Sequence, residues 1–348
     1  MTIVAEKYAY VIGVDTHAKT HTYAITATTT GTCLGCEAFP VTAAGIKRAI
    51  GWIHRNTSGE ILAAVEGTCS YGASLTRALV NENLPVVEAK PPRKKTRGSA
   101  GKTDAIDAIA AATGILGTEI NRLLYPRIEG TRTALGVLLA SRRRLEGQST
   151  ANRNALNALV RQIDLGLDTR EALSDKKVAE IGSWRARPSD TVEQQIGREE
   201  ATNLALSITA AAGRLKTNET QLGRLCEELA PGLQDQPGLG PVTAGIILAA
   251  YSHHGRVRDE AAFASLAGVS PLQASSGNTI RHRLNRTGDR QLNMALDIIA
   301  KTRMRCDEKT KEFLERRTAQ GLSYRDIKRV LKRYIARDLF RQLEKLFT

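Results

Sequence analysis

Four acidic residues stand where their types and spacing could do chemistry. Asp15 ends the run VIGVD, Glu66 ends ILAAVE, and Asp104 and Asp107 lie three apart in DAIDAIAAA. Carboxylates closing two apolar β-runs, together with two more on one helical face, can converge on a single point. Like charges gathered in this way need a counter-charge, and an all-oxygen donor set suits Mg²⁺ or Mn²⁺. Such a cation activates a nucleophile and steadies a leaving oxygen at a phosphodiester, so the expected chemistry is phosphoryl transfer on nucleic acid.

The overall charge agrees with a polyanionic partner. The 348 residues include 50 Lys and Arg against 36 Asp and Glu, a formal net charge of +14. An excess of this size favours phosphate backbones through counterion release. A hydrophobic fraction of 42% supports real cores in two or three domains. No apolar run approaches the roughly 18 residues of a membrane span. The start, MTIVAEKYAY, carries charges where a signal peptide would be apolar, so a cytoplasmic protein without a membrane partner is expected. Five scattered cysteines do not form a secreted disulfide framework. Cys33 and Cys36 have CxxC spacing but no second ligand pair for zinc.

The elements that must position the carboxylates read as a mixed α/β domain. YAYVIGVD and HTYAITAT form a hairpin, and CEAFPVT adds a strand. AAGIKRAIGWIHRN is an amphipathic helix with Ile46, Ile50 and Ile53 on one side. ILAAVEG is a buried central strand, SYGASLTRALVNENL a second helix and LPVVEA a further strand. This order fits a ribonuclease H-like sheet. The segment Lys90 to Lys102 holds six basic residues, two prolines and two glycines with no acid, and leads straight into the Asp104 helix. It reads as a loop whose Arg93, Lys94, Lys95, Arg97 and Lys102 contact phosphates, with a plain solvated linker as the alternative.

Beyond Leu135 a 3,4 spacing picks out Leu135, Leu138, Arg142, Leu145, Ser149, Asn152, Leu156, Leu159 and Ile163. A second run passes through Leu204, Ile208, Ala211, Leu215, Asn218, Leu222, Leu225 and Leu229. Two long helices are expected, joined irregularly around Gly182 to Asp190, as an antiparallel hairpin or an oligomerising coiled coil. QPGLGPVTAGIILAAY then has the form of a helix-hairpin-helix element, with a simple glycine turn as the other reading. Arg281, Arg283, Arg286 and Arg290 follow a Ser-Ser-Gly, and basic helices close the chain.

These residues resemble the DEDD transposases of the insertion sequence 110 family, which include the Piv-type DNA invertases. Asp15, Glu66, Asp104 and Asp107 match that family's acidic positions in order, and PGLGPVTA, FASLAGVSP, SSG and RTGDRQLN match its carboxy-terminal domain. The resemblance implies a RuvC-like ribonuclease H fold over residues 1–125, a long-helix coiled-coil region over 126–230, and a mainly α transposase domain over 231–348. It implies a bacterial, nucleoid-associated recombinase acting on double-stranded DNA as a dimer or tetramer. It also implies a structured guide RNA from the element's own end. A serine would join DNA covalently, with Ser276 the best match and Ser275 the near alternative; neighbouring arginines could neutralise the transferring phosphoryl group. Sugar kinases of the same broad fold carry Asp-x-Gly-Thr where this chain has Asp15-Thr16-His17-Ala18, and the missing glycine disfavours that reading. A junction-resolving nuclease using water and a non-enzymatic nucleic-acid binder are the competing functions.

Overall fold

The computed structural model describes residues 2–89, 103–126, 130–168, 170–273, 282–283, 285 and 287–347. They pack into two units, one of Met1–Gly130 with Ser252–Asp259 and Phe347–Thr348, the other of Thr131–Tyr251 with Glu260–Leu346.

The first unit is built on a five-stranded sheet in the order β3-β2-β1-β4-β5. Strands β1 (Tyr10–Thr16), β2 (Thr20–Ala27) and β3 (Cys33–Pro40) form an antiparallel meander; β4 (Ile61–Val65) and β5 (Val86–Glu88) continue in parallel from β1. Every residue of β4 is buried, as its unbroken apolar run predicts for a central strand. The two-residue period divides the side chains between two cores. Ile12, Val14, Ala63 and Val65 face α2 (Ala43–Asn56) and α3 (Ala73–Asn81), meeting Ile46, Ile50, Ile53, Leu75 and Leu79. Val11, Leu62, Ala64 and Val87 pack on the other face with Ala111 and Ala112 of α4 (Asp104–Thr113) and with Val4 of α1 (Val4–Lys7). Thr42 starts α2 by accepting from the Gly45 amide at 3.0 Å. This mixed sheet is consistent with the expected ribonuclease H-like fold.

The second unit is mostly helical. Helices α5 (Gly130–Gln162) and α7 (Val192–Leu229) run antiparallel. Thr131 Oγ1 donates to Glu228 at 3.0 Å, Asn218 Nδ2 donates to the Leu138 carbonyl at 2.9 Å, and Ile163 sits against Gly197. The seam residues Leu135, Leu145, Leu156, Ile208 and Leu222 are buried, as their spacing predicts. The connection is irregular over 183–191, as expected, and ahead of that stretch a further helix, α6 (Asp175–Gly182), is capped by Ser174 and buries Val178 and Ile181 against α7.

After α7 come α8 (Pro241–Tyr251), α9 (Glu260–Leu266), a ribbon of β6 (Leu272–Gln273) and β7 (His282–Arg283), then α10 (Arg290–Cys306), α11 (Glu308–Ala319) and α12 (Tyr324–Phe347). The carboxy-terminal motifs fix a joint here. A Cβ on Gly288 would lie 2.4 Å from the Gly268 nitrogen, so the two backbones touch and position 288 has no room for a side chain, while Gly268 takes a positive φ of 66° that favours glycine. The Asp289 amide donates to the Leu266 carbonyl at 2.7 Å while its carboxylate caps α10, and Asn293 Nδ2 donates to the Ala267 carbonyl at 2.7 Å. RTGDRQLN thus holds the turn in FASLAGVSP.

Candidate metal centre

Backbone packing in the first unit sets where the carboxylates meet. Gly13 lies beneath α4: a Cβ there would be 2.0 Å from the Ala108 carbonyl oxygen and 2.6 Å from the Ala112 nitrogen. With Ala108, Ala111 and Ala112 buried, the helix comes down onto β1 and its first turn arrives beside Asp15. Thr103 caps α4 by accepting from the Ile106 amide, and the acids at Asp104 and Asp107 suit the positive end of the helix. Glu66 is held from β1, since its amide donates to the Val14 carbonyl at 3.0 Å and Thr16 Oγ1 donates to the Glu66 carbonyl at 2.8 Å.

The resulting cluster is crowded with negative charge. Asp15 is 6% exposed, and one of its oxygens, Oδ2, is buried without a hydrogen-bond partner of good geometry. His17 Nε2 lies 3.1 Å from that oxygen and 3.5 Å from Asp104 Oδ1. Burial pushes the Asp15 carboxyl above its ordinary value, His17 offsets this in part, and Asp104 and Asp107 push it further up. Glu66 is also raised, first by burial and then by Asp15 and Asp107. Asp104 and Asp107 thus act on Asp15, and Asp15 and Asp107 on Glu66, while Glu66 and Asp107 lie outside the tightest group. Asp15, His17 and Asp104 offer ligand atoms within 4.8 Å of each other. The donor set fits a divalent cation: an under-coordinated buried carboxylate oxygen, further carboxylates, and one imidazole standing where positive charge is needed.

Two contributors were missed by reading the acids alone. His17 follows Asp15 by two residues, and continuing the strand period past β1 puts both side chains on one side. Glu88 at the end of β5 also raises Glu66 and accepts from the Thr68 hydroxyl; its place at a parallel strand end was the available signal. Of the other predicted residues, Arg283 is exposed on β7 and Arg290 is exposed at the start of α10. Arg93, Lys94, Lys95, Arg97, Lys102, Ser275, Ser276, Arg281 and Arg286 lie outside the described residues. Among the described residues, no helix is long and apolar enough to cross a membrane.

Comparison with known proteins assigns the class first. Residues 12–164 match the family model DEDD_Tnp_IS110, described as a transposase, and residues 230–315 match that of the Transposase IS116/IS110/IS902 family. The chain is also similar to the insertion element IS110 uncharacterized 43.6 kDa protein of Streptomyces coelicolor, 32% identical over 125 residues. That match covers 35% of this chain and 31% of the relative's length. The chain belongs to the IS110 family of transposases.

Proposed function

We propose that this protein mobilises an insertion element by cutting and rejoining DNA, with Asp15, Glu66, Asp104 and Asp107 binding Mg²⁺ or Mn²⁺. The observation that supports this is the grouping of Asp15 at the end of β1 with Asp104 and Asp107 of α4 and with Glu66, just past β4, about a buried Asp15 oxygen. A bound cation supplies activation of the attacking hydroxyl and charge neutralisation at the phosphodiester. The carboxylates supply the negative site, Gly13 sets their spacing through α4, and His17 shares the Asp15 and Asp104 oxygens in the metal-free chain.

Ser276 is the proposed nucleophile. Its hydroxyl oxygen attacks the phosphorus, the displaced DNA oxygen leaves as a free hydroxyl, and the serine–phosphate ester conserves the bond energy for rejoining. Ser275 is the alternative attacker. Arg281, Arg283, Arg286 and Arg290 would neutralise the phosphoryl group, and Arg93, Lys94, Lys95, Arg97 and Lys102 would hold the duplex backbone. The glycine turn opening α8 offers a further phosphate contact of helix-hairpin-helix type. The proposal includes a ribonuclease H-like domain over 1–125, a coiled-coil region over 126–230, a transposase domain over 231–348, homo-oligomeric assembly, a structured guide RNA, and action on the nucleoid in a bacterial cytoplasm. Its support is the family membership and the net charge of +14.

The test is strand cleavage and recombination on element-end DNA with Mn²⁺. Asp15→Asn should lose cleavage while retaining fold and bulk DNA affinity, and Ser276→Ala should lose a denaturation-resistant protein–DNA adduct. Recombination at the normal rate in Asp15→Asn would remove the metal assignment. Cleavage to free ends with no adduct would reassign the chain as a water-using nuclease, and DNA binding without cleavage as an architectural protein.

A further inference from the structure

The second unit contains a cleft of about 710 Å³ between the Gly268 to Pro271 turn, the first turns of α10 and one side of α12. Its α12 wall carries Arg325, Lys328, Arg329, Lys332 and Arg333, opposed by two lining carboxylates, Asp297 and Asp326. Both carboxylates are already engaged. Asp326 pairs with Arg329 at 2.9 Å. Asp297 gathers Lys301 at 2.9 Å, Lys328 at 3.1 Å and Lys332 at 3.5 Å. Burial works to raise the Asp297 carboxyl, but these lysines bring it down to about 2, so it stays charged and keeps their ammonium groups in place.

Lys332 lies at the buried side of this wall, 8% exposed, and donates to Asn293 Oδ1 at 2.7 Å. A long ammonium side chain is seldom this buried, and its charge is incompletely balanced by a carboxylate shared with two other lysines. The opposite wall is the glycine turn pinned by Gly288 and Asn293. One pinned wall, surplus positive charge and hydrogen-bonding groups in a cavity of this size describe a site for a phosphate-bearing ligand. Among the described residues, the lining includes no aromatic side chain on which bases could stack. Recognition would therefore fall on the sugar-phosphate backbone. The α12 wall lies beyond residue 315, where the matched transposase family model ends.

We infer that this cleft binds the phosphodiester backbone of one unpaired nucleic-acid strand, with Arg325, Arg329 and Arg333 as its outer contacts and Lys332 as its buried anchor. The inference rests on the reading of the chain as a nucleic-acid enzyme, and it adds where a separated strand is held. A cleft of about 710 Å³ takes a short stretch of one strand and is too small for a duplex, so single strands should depend on it more than duplexes do.

The experiment uses the full chain and fluorescein-labelled single strands of roughly 12 nucleotides, within the span of single-strand grooves, as DNA and as RNA, read by anisotropy over a salt series. The triple variant Arg325→Ala, Arg329→Ala, Arg333→Ala should bind single strands at least tenfold more weakly. Its salt slope should flatten by about 2, at roughly 0.7 per lost phosphate contact. A control triple, Lys176→Ala, Arg185→Ala, Arg187→Ala, removes the same charge from exposed positions and should change binding less than twofold. Equal binding of DNA and RNA supports backbone recognition, and preference for either identifies the strand. Equal losses in both triples, or an equal loss on duplex DNA of the same length, would overturn the cleft while leaving the enzyme reading intact. Absence of any nucleic-acid binding by the unaltered chain would overturn both. Should the triple variant fold poorly, photocrosslinking of a 4-thio-substituted strand to the unaltered chain decides the matter: adducts within 268–271 or 325–333 support the cleft, and adducts only elsewhere remove it.

Discussion

A single methyl group at position 13 should be enough to disturb the proposed metal centre. Gly13→Ala places a Cβ within 2.0 Å of the Ala108 carbonyl, so α4 must lift, carrying Asp104 and Asp107 away from Asp15. Overpacking of this kind costs about 1–3 kcal/mol. The expected results are a lowered Tm and a loss of Mn²⁺ affinity of at least roughly tenfold, since ligand sites tolerate only about 0.5 Å of drift; unchanged Mn²⁺ binding by paramagnetic resonance would show that α4 does not set the site. The raised Asp15 and Glu66 carboxyls give a second expectation. Protons compete with metal for them, so Mn²⁺ binding should be lost at a higher pH than at ordinary exposed carboxylates. In the metal-free chain the sign is that of raised acids: their contribution to stability is fully present below the unfolded carboxylate value and is lost as pH rises through the folded one. Melts in chelator across that window, repeated with Mn²⁺, should show the loss only without metal. The placement of the four acids at strand ends and on one helix was legible, and the two-residue step from Asp15 to His17 was there to be read as well. The role of Gly13 was not, because a glycine in a strand acquires meaning only when α4 is known to lie above it.

Among the helices, a buried ion pair ties the connection between α5 and α7 to α7. Arg198 on α7 donates to Asp190 at 2.6 and 3.0 Å and stacks over Trp184 at 4.9 Å, with Arg198 itself 3% exposed. The Asp190 carboxyl is held below its usual range by that guanidinium. Its contribution to stability is present above the ordinary carboxylate value and is lost as pH falls through the lowered one. Asp190→Asn should lower Tm at neutral pH and make that part of the acid dependence disappear; identical pH–Tm curves for variant and parent would exclude the role. The long helices themselves were legible, since their 3,4 seams run for many turns. Helix α6 was not: only Val178 and Ile181 mark its apolar face, too few to establish a period, and its stability comes from packing on α7. Likewise FASLAGVSP and RTGDRQLN were legible as separate motifs, while their mutual contact through Gly268 and Gly288 is tertiary and leaves no local pattern.

For the molecule as a whole, the net charge of +14 sets the response expected of it if DNA is the partner, as proposed. Replacing Arg93, Lys94, Lys95 and Arg97 with Ala should weaken duplex binding across unrelated sequences and flatten the salt dependence by roughly 0.9 per lost contact. An unchanged slope would make the segment a linker. If catalytic parts are shared between protomers, mixing Asp15→Asn with Ser276→Ala protein should restore partial recombination, because some assemblies regain an intact set; no recovery at any ratio would place both parts within one chain. The ribbon of β6 and β7 has a consequence for how such a protein can diversify. Residues 274–281, which include Ser276, connect Gln273 to His282, and those two are paired across the ribbon. Lengthening a connection between ends that are already paired costs only about 0.6 kcal/mol for each doubling. Relatives can therefore differ in how many residues they carry between the positions of Gln273 and His282 while the ribbon itself stays as it is.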